Sequence, residues 1–215
     1  MAIDDDFIDL DSLKEREGVP WTHPPYCIIP TSIGSTEKYC VYSSSAFNDA
    51  TGLSLITTPE TAASLANAAN DPLPAWHSRR HLAHHSRLET DTYELPYAVV
   101  SIPGKGHGVV ATRHIEQFET IMTNFPALII DNEFLPREES QGPVEGPRLF
   151  QRALDQLSDK QRFLSLARSK GDDVHIVEDV VRTNAFGITV DGRALKALYP
   201  EIAVCVPIQL LARPC

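Results

Sequence analysis

A run of alternating glycines between two strand-forming stretches is the strongest constraint on how this chain folds. YAVVSI begins at Tyr97 and is β-branched and apolar, glycines stand at positions 104, 106 and 108, and VVATRHI follows directly. β-branched residues favour strands, whereas glycine favours tight turns. The pattern therefore predicts a β-hairpin, and ETIMTNFPALIID, interrupted at Pro126, adds a third strand-rich stretch. We expect the three stretches to form a small antiparallel β unit.

The spacing of the glycines excludes two common phosphate-binding loops. A P-loop needs Gly-Lys followed by Ser or Thr at the start of a helix, but here Gly106 follows Gly104 and Lys105. A dinucleotide loop has the spacing GxGxxG between a strand and a helix, whereas this chain has GxGxG followed by β-forming residues. A glycine-rich hairpin turn that binds no ligand remains one interpretation of the spacing.

Charge and composition limit the classes of partner. The chain has 215 residues and a net charge of -10, with 29 acidic and 19 basic side chains. A nucleic-acid binder that ignores sequence needs clustered Lys and Arg, so we expect no direct nucleic-acid binding. An acidic surface favours a basic partner such as a Lys-rich peptide. The start, MAIDDDFIDLD, lacks a secretory pattern, and no apolar run approaches the roughly 18 residues of a membrane span. We therefore expect an intracellular protein, in cytoplasm or nucleus, that does not contact a membrane.

Cysteines and histidines are the candidate metal ligands. The cysteines stand at Cys27, Cys40, Cys205 and Cys215. Because none of them forms a CxxC motif, we expect free thiols in a reducing compartment, with pairing or metal sharing by the first two as the alternative. A group of four histidines comprises His77, His81, His84 and His85. Spacings of four could place two imidazoles on one helical face, but no acidic or Cys ligand keeps the pattern, so we predict no metal site.

The remaining sequence divides into an extension and a helical region. Residues 1–95 are rich in Pro and Ser and predict an irregular N-terminal extension, with short strands in YCII and YCVY and a helix capped by Thr58. Apolar residues at helical spacing predict a helix over 148–157, and Ser158 is expected to cap the next one. A further stripe runs through DVHIVEDVVRTNAF. These segments predict a helical insert over residues 148–186.

Two motifs resemble one known family. GKGHGVVATRHI with its following spacer is similar to the opening of a SET domain, roughly GxGxGxxAxxxIxxGxxI, and Ala111, Ile115 and Ile121 fall in place. The glycine of the second turn is replaced around Gln117 and Phe118. VVRTNAF and the later ALYPEI resemble the segment that leads into the Asn-His-x-Cys signature of fungal SET-and-MYND-like proteins. The resemblance covers about residues 97–202, with the two motifs in the expected order.

The resemblance implies both a fold and an activity. It implies an α+β, β-rich SET-domain fold of the β-clip type, with a partial SET domain over residues 96–202. Such proteins transfer a methyl group from S-adenosylmethionine to the lysine of a protein such as a histone. The donor-binding positions that carry over are Lys105, Gly106, His107, Gly108, Asn184 and Phe186.

The chemistry of the donor suits these residue types. Glycine N–H groups and Lys105 would hold its carboxylate, the amide oxygen of Asn184 would accept from its ammonium, and Phe186 would form an apolar wall. Each residue also has a plainer interpretation. Lys105 and His107 could be solvated turn residues, Asn184 could cap a helix and Phe186 could belong to the core.

The resemblance ends near residue 202. Residues 203–215 form a tail foreign to the family pattern, without the Asn-His-x-Cys signature or the later tyrosine of the lysine channel. We therefore expect a C-terminally incomplete, truncated SET domain with no catalytic residues of its own and doubtful methyltransferase activity. The alternative is a non-catalytic fragment that binds a protein partner.

Overall fold

The computed structural model describes residues 20–30, 36–70, 96–102, 106–122, 124–135 and 145–203. The protein is α+β, mostly sheet with a few helices. Its strands are β1 (Tyr26–Ile28), β2 (Tyr39–Ser44), β3 (Leu53–Thr57), β4 (Tyr97–Ile102), β5 (Gly106–Ala111), β6 (Leu128–Asp131), β7 (Phe186–Val190) and β8 (Arg193–Leu198). Its helices are α1 (Phe47–Ala50), α2 (Pro59–Asn70), α3 (Gly146–Gln156), α4 (Lys160–Leu164), α5 (Ile176–Asn184) and α6 (Pro200–Ala203), with a 3-10 turn at Gly171–Asp173.

A six-stranded sheet in the order β1-β2-β3-β6-β8-β7 forms the centre of the molecule. The β3–β6 pair is parallel, and every other neighbouring pair is antiparallel. Strands from the predicted N-terminal extension therefore share one sheet with strands that follow residue 96. Over its described residues this extension is not irregular, because β1, β2 and β3 are strands of the sheet and α2 packs against it.

Each face of the sheet carries its own apolar cluster. On one face, Leu128 and Ile130 of β6 pack with buried residues of α3, α4 and α5. On the other face, Ile129 packs with Leu55 of β3 and Ala62 of α2. Successive strand residues point to opposite faces, so apolar runs such as LSLI and LIID supply both clusters at once. Helices on both faces explain why these strands carry apolar residues on both sides.

The glycine-rich stretch forms the predicted hairpin. β4 and β5 pair in antiparallel register, with Ile102 opposite Gly106 and Tyr97 opposite Ala111. A strand, and not a helix, therefore starts at Gly106. The expected three-stranded unit is wrong, because the third stretch becomes β6, which pairs with β3 and β8 in the central sheet. The hairpin is a separate two-stranded sheet.

The predicted helices are present, with one correction at a helix start. The N–H of Thr61 donates to the Thr58 hydroxyl at 3.4 Å, which confirms the predicted cap of α2. α4 is capped by Asp159, which accepts from the N–H of Arg162, and not by Ser158. A carboxylate at this position accepts from the free N–H groups of the first turn as a serine would, with added charge.

Cys27 and Cys40 form a disulfide, so the expectation of free thiols is wrong for this pair. They lie directly opposite each other on β1 and β2, with Cα atoms 4.0 Å apart. The sequence placed both cysteines in strands but contained no signal that pairs these strands in this register. Cys205 and Cys215 lie outside the described residues. In the part of the chain that is described, no helix is long and apolar enough to cross a membrane.

Candidate functional site

Asn184 is the last residue of α5, and its amide nitrogen and amide oxygen have different surroundings. Its side chain is 5% exposed, and its Nδ2 donates to the carbonyls of Ala167 and Val180, each at 2.8 Å. Two carbonyl acceptors fix the amide orientation, because only the NH₂ group can donate to both. No hydrogen bond joins the Asn184 Oδ1 to any described residue. The cap interpretation is thus correct for the nitrogen, while the oxygen remains able to accept from a cation.

Asp179 holds the loop against which Asn184 is anchored. Its fully buried carboxylate accepts from the backbone N–H groups of Ser169, Lys170 and Gly171 at 2.9–3.1 Å. Desolvation would raise the pKa of this carboxyl, but the three backbone donors outweigh it and hold the pKa below its ordinary value. Sequence reasoning missed this residue, because the donors come from a loop with no recognisable motif.

Phe186 begins β7 at an edge of the central sheet and remains 41% exposed. Its ring meets that of Tyr199 edge to face, with the centroids 6.1 Å apart. Burial raises the pKa of Tyr199, so this phenol is neutral at physiological pH. The exposed face of Phe186 is therefore available to a ligand, and the core interpretation of this residue does not hold.

The pairing of Phe186 with β8 could have been predicted from the sequence. Asp191 and Gly192 both have positive φ, 47° and 79°, and join β7 to β8 in a two-residue turn. Asp-Gly between strand-forming residues is the typical signal of such a hairpin. Counting back from this turn places Phe186 opposite Ala197, two residues before Tyr199. The proximity of the two aromatic rings was thus readable from TNAFGITVDGRALKALY.

Three of the predicted donor-binding residues lie on strand β5 of the glycine hairpin. Gly106, His107 and Gly108 lie on β5, opposite Ile102, Ser101 and Val100. In an antiparallel ladder only alternate residues direct their N–H towards the partner strand. β5 has no second partner among the described strands, so its outward N–H groups remain available to an acceptor. Lys105 lies outside the described residues.

The candidate residues fall into two groups. Asn184 and Phe186 flank the junction of α5 and β7, whereas Gly106, His107 and Gly108 lie in the separate hairpin. Between these two groups, no hydrogen bond or ring contact is found among the described residues. The structure thus places Asn184 and Phe186 at one junction, and among the described residues nothing joins them to the glycines.

A cleft rich in carboxylates lies beside the turn between β7 and β8. Its charged lining consists of Glu37, Glu60, Glu133, Asp191 and Arg193. Arg193 donates to Glu37 at 2.6 Å, to the Tyr39 hydroxyl at 3.1 Å and, through Nε, to the buried Asp131. Loss of hydration raises the pKa of Asp131, although the Glu133 N–H and Arg193 favour its charged form. Because the guanidinium is engaged within the chain, we assign this network a structural role.

Comparison of the chain with protein-family models, with curated proteins and with solved structures finds no match. The arrangement of the site itself therefore carries the functional argument. In the part of the chain that the structure describes, no three His, Cys, Asp or Glu side chains are grouped to hold a metal ion. The histidine group at 77–85 lies outside that part.

Proposed function

We propose that this chain is a SET-domain protein related to the S-adenosylmethionine-dependent protein-lysine methyltransferases, and that it binds the methyl donor. The proposal extends the α+β architecture to the SET fold. Its support comes from the second turn of the motif, from the junction of α5 and β7, and from the free edge of the hairpin.

The backbone at Phe118 is the observation that carries the proposal. Counted from Gly104, the pattern GxGxGxxAxxxIxxGxxI places its last glycine at position 118. Phe118 has φ of 67°, a left-handed conformation that glycine adopts freely and other residues rarely adopt. Its side chain is 94% exposed, so no packing of the ring accounts for this conformation. The chain thus makes the turn of the pattern even though the glycine itself is replaced.

The residues fit the chemical groups of the donor. S-adenosylmethionine, when bound, supplies a methyl group activated by a sulfonium. The fixed Oδ1 of Asn184 is a neutral acceptor suited to an ammonium, and the exposed ring of Phe186 offers an apolar or cation-stabilising face. Outward N–H groups of β5 suit a carboxylate. We therefore assign donor binding to Gly106, His107, Gly108, Asn184 and Phe186, with Lys105 as the accompanying cation.

Donor binding and methyl transfer are separable in this chain. Transfer needs the target amine aligned with the methyl group and deprotonated in a dry channel. The residues assigned above suit the donor, and none of them is placed to align or deprotonate an amine. We therefore assign no catalytic residue and assign donor binding as the step that these residues support.

Calorimetric titration of S-adenosylmethionine into the chain and into Asn184→Ala tests the assignment. We expect binding in the micromolar range by the parent and a loss of at least tenfold in the variant. Thr183→Ala is the matched control. Thr183 lies beside Asn184 on α5 and donates to Asp179 and to Ser169 of the preceding loop, and we assign it no contact with the donor. A control that binds like the parent separates loss of the acceptor from loosening of the loop.

The opposite result supports a different class of function. A folded, monodisperse chain that binds no donor would contradict the proposal and favour a non-catalytic protein-binding role. The net charge of -10 makes a Lys-rich peptide the first partner to test in that case. Methylation of such a peptide by the purified chain would instead show that the transfer machinery is complete.

A further inference from the structure

The disulfide between Cys27 and Cys40 is the covalent anchor of an edge segment. We call residues 20–30 the strap. Its strand β1 has three residues, forms one edge of the six-stranded sheet and, among the described strands, pairs with β2 alone. Two-stranded pairing over so short a length is weak in water, so the strap depends on contacts beyond its ladder.

The non-covalent contacts of the strap reach both faces of the sheet. Trp21 and Cys27 pack against one apolar cluster, and the ring centroids of Trp21 and Tyr42 are 5.6 Å apart. Ile28 packs against the other cluster. The N–H of Thr22 donates to the Ser43 carbonyl at 2.8 Å. The strap thus covers the margins of both clusters, while Thr22, Pro24, Tyr26 and Ile29 within it are exposed.

The two sulfur atoms differ in how accessible their residues are. Cys40 is fully buried, whereas Cys27 is half-buried between the exposed Tyr26 and the half-buried Ile28. A thiolate attacks the sulfur that it can reach, so an incoming reductant meets Cys27 first. Cys40 then leaves into an apolar environment, where its thiol stays protonated and unreactive.

We propose that the Cys27–Cys40 bond is a thiol–disulfide exchange site through which a protein dithiol, of the kind with two neighbouring cysteines, releases the strap from the sheet. This inference is independent of donor binding. It concerns a reversible modification of the scaffold at the edge opposite β7, where Phe186 lies.

The thiol–disulfide exchange proceeds in two steps. A thiolate of the dithiol attacks the Cys27 sulfur, the Cys27–Cys40 bond breaks, and Cys40 leaves as a thiolate that takes up a proton. The second thiol of the reductant, as thiolate, then attacks the reductant sulfur of the mixed disulfide and releases Cys27, which is protonated in turn. The protein disulfide gains two electrons and two protons, and the dithiol becomes a disulfide.

Release of the strap changes which strand forms the edge. All residues of β2 are buried when β1 covers it. β1 pairs with Tyr39, Cys40 and Val41, and the Thr22 N–H donates to the Ser43 carbonyl. Without the strap, the outward N–H and C=O groups of β2 lose these partners. Such an edge pairs readily with another strand. Reduction therefore replaces the three-residue edge strand β1 by the six-residue strand β2, which can pair with another strand.

Hydrogen exchange on the full chain with Cys205→Ser and Cys215→Ser tests the proposal without competing thiols. Thioredoxin with its reductase serves as the dithiol. We expect mass spectrometry to find the Cys27–Cys40 bond in the oxidised protein. After reduction, amides of β1 and β2 should exchange at least tenfold faster than the loss of global stability alone explains, amides of β6 and β8 should accelerate only by that global loss, and reoxidation should restore protection. The melting temperature should fall by roughly 5–15 °C on reduction.

Cys27→Ser provides the matched variant, because it removes the bond at the half-buried end and leaves Cys40 in the core. It should exchange like the reduced parent and should not respond to thioredoxin. Two alkylatable thiols in protein kept under oxidising conditions would overturn the proposal. Unchanged exchange of β1 and β2 after complete reduction would overturn it as well, since the strap would then be held without the bond.

Discussion

The central sheet and the glycine hairpin differ in how the chain supports them. Every inner strand of the six-stranded sheet has neighbours on both sides and helices over both faces. The β4–β5 hairpin pairs only with itself among the described strands, and Val99 and Val110 are exposed on it. Two paired strands are marginal without further packing. The hairpin therefore follows its local sequence, while the sheet is fixed by contacts between distant segments.

The same contrast holds for polar groups. Near α5, the Asp179 carboxylate and the Asn184 amide nitrogen have their partners within the chain. On the hairpin, the outward N–H groups of β5 have no second partner among the described strands. The turn that follows is closed by the N–H of Glu119, which donates to the Glu116 carbonyl at 3.1 Å, but it holds Phe118 in a left-handed conformation. Such a residue is a candidate for a functional role. The proposed donor site thus combines one rigid half, built on α5, with one weakly supported half.

The largest effect is expected on the rigid side, at Asp179. Asp179→Ala removes the acceptor of three backbone N–H groups at the loop before α5. Donors to a buried carboxylate are costly to leave unpaired, so we expect a loss of about 3–4 kcal/mol in the free energy of unfolding. Urea denaturation followed by circular dichroism measures it. A loss below about 0.5 kcal/mol, the range of ordinary surface substitutions, would show that the loop is held by other contacts.

The pH dependence of Asp179→Asn sharpens this expectation. The pKa of Asp179 is lower in the folded protein than its ordinary value of 3.8. A depressed pKa contributes stability that is present above the unfolded value and is lost as pH falls through the folded one. The stability difference between parent and variant should therefore be constant above about pH 5 and shrink below pH 4. Taking the difference removes the contributions of other carboxyls, including Asp131.

A matched pair of valines in strands compares the two regions directly. Val41 on β2 is fully buried, and Val99 on β4 is 53% exposed. Val41→Ala should cost about 2–3 kcal/mol from lost burial and the cavity left behind. Val99→Ala should stay within about 0.5 kcal/mol. Equal losses of unfolding free energy in urea denaturation would mean that the hairpin face is covered in solution. The two regions would then not differ in packing.

Sequence alone predicted local elements well and long-range partners poorly. YCII, YCVY and the glycine hairpin were recognised as strand-forming, and the apolar stripe of α3 gave its position within two residues. The parallel pairing of β3 with β6 was not predictable, because each strand is a short apolar run that could pair with several others. The disulfide depended on the same unknown register.

The candidate site follows the same rule. Asn184 and Phe186 were found because they stand in a motif, and their geometry follows from one helix end and one hairpin. Asp179 was missed, because its role depends on a loop folding back from residues 169–171. Tyr199 was missed although the Asp-Gly turn indicated its position.

The smallest effect is expected at the turn after the hairpin. Phe118→Gly should raise the free energy of unfolding by about 0.5–1 kcal/mol, because relief of a left-handed residue exceeds the added chain entropy of glycine. No packing is lost, since the ring is exposed. Gln117→Gly is the control, because Gln117 is exposed in the same turn and does not have positive φ. It should destabilise by about 0.5–1 kcal/mol. Opposite signs at these neighbouring positions would place the glycine of the motif at 118. Destabilisation by both would mean that the turn does not require glycine geometry, which would remove the strongest support for the SET proposal.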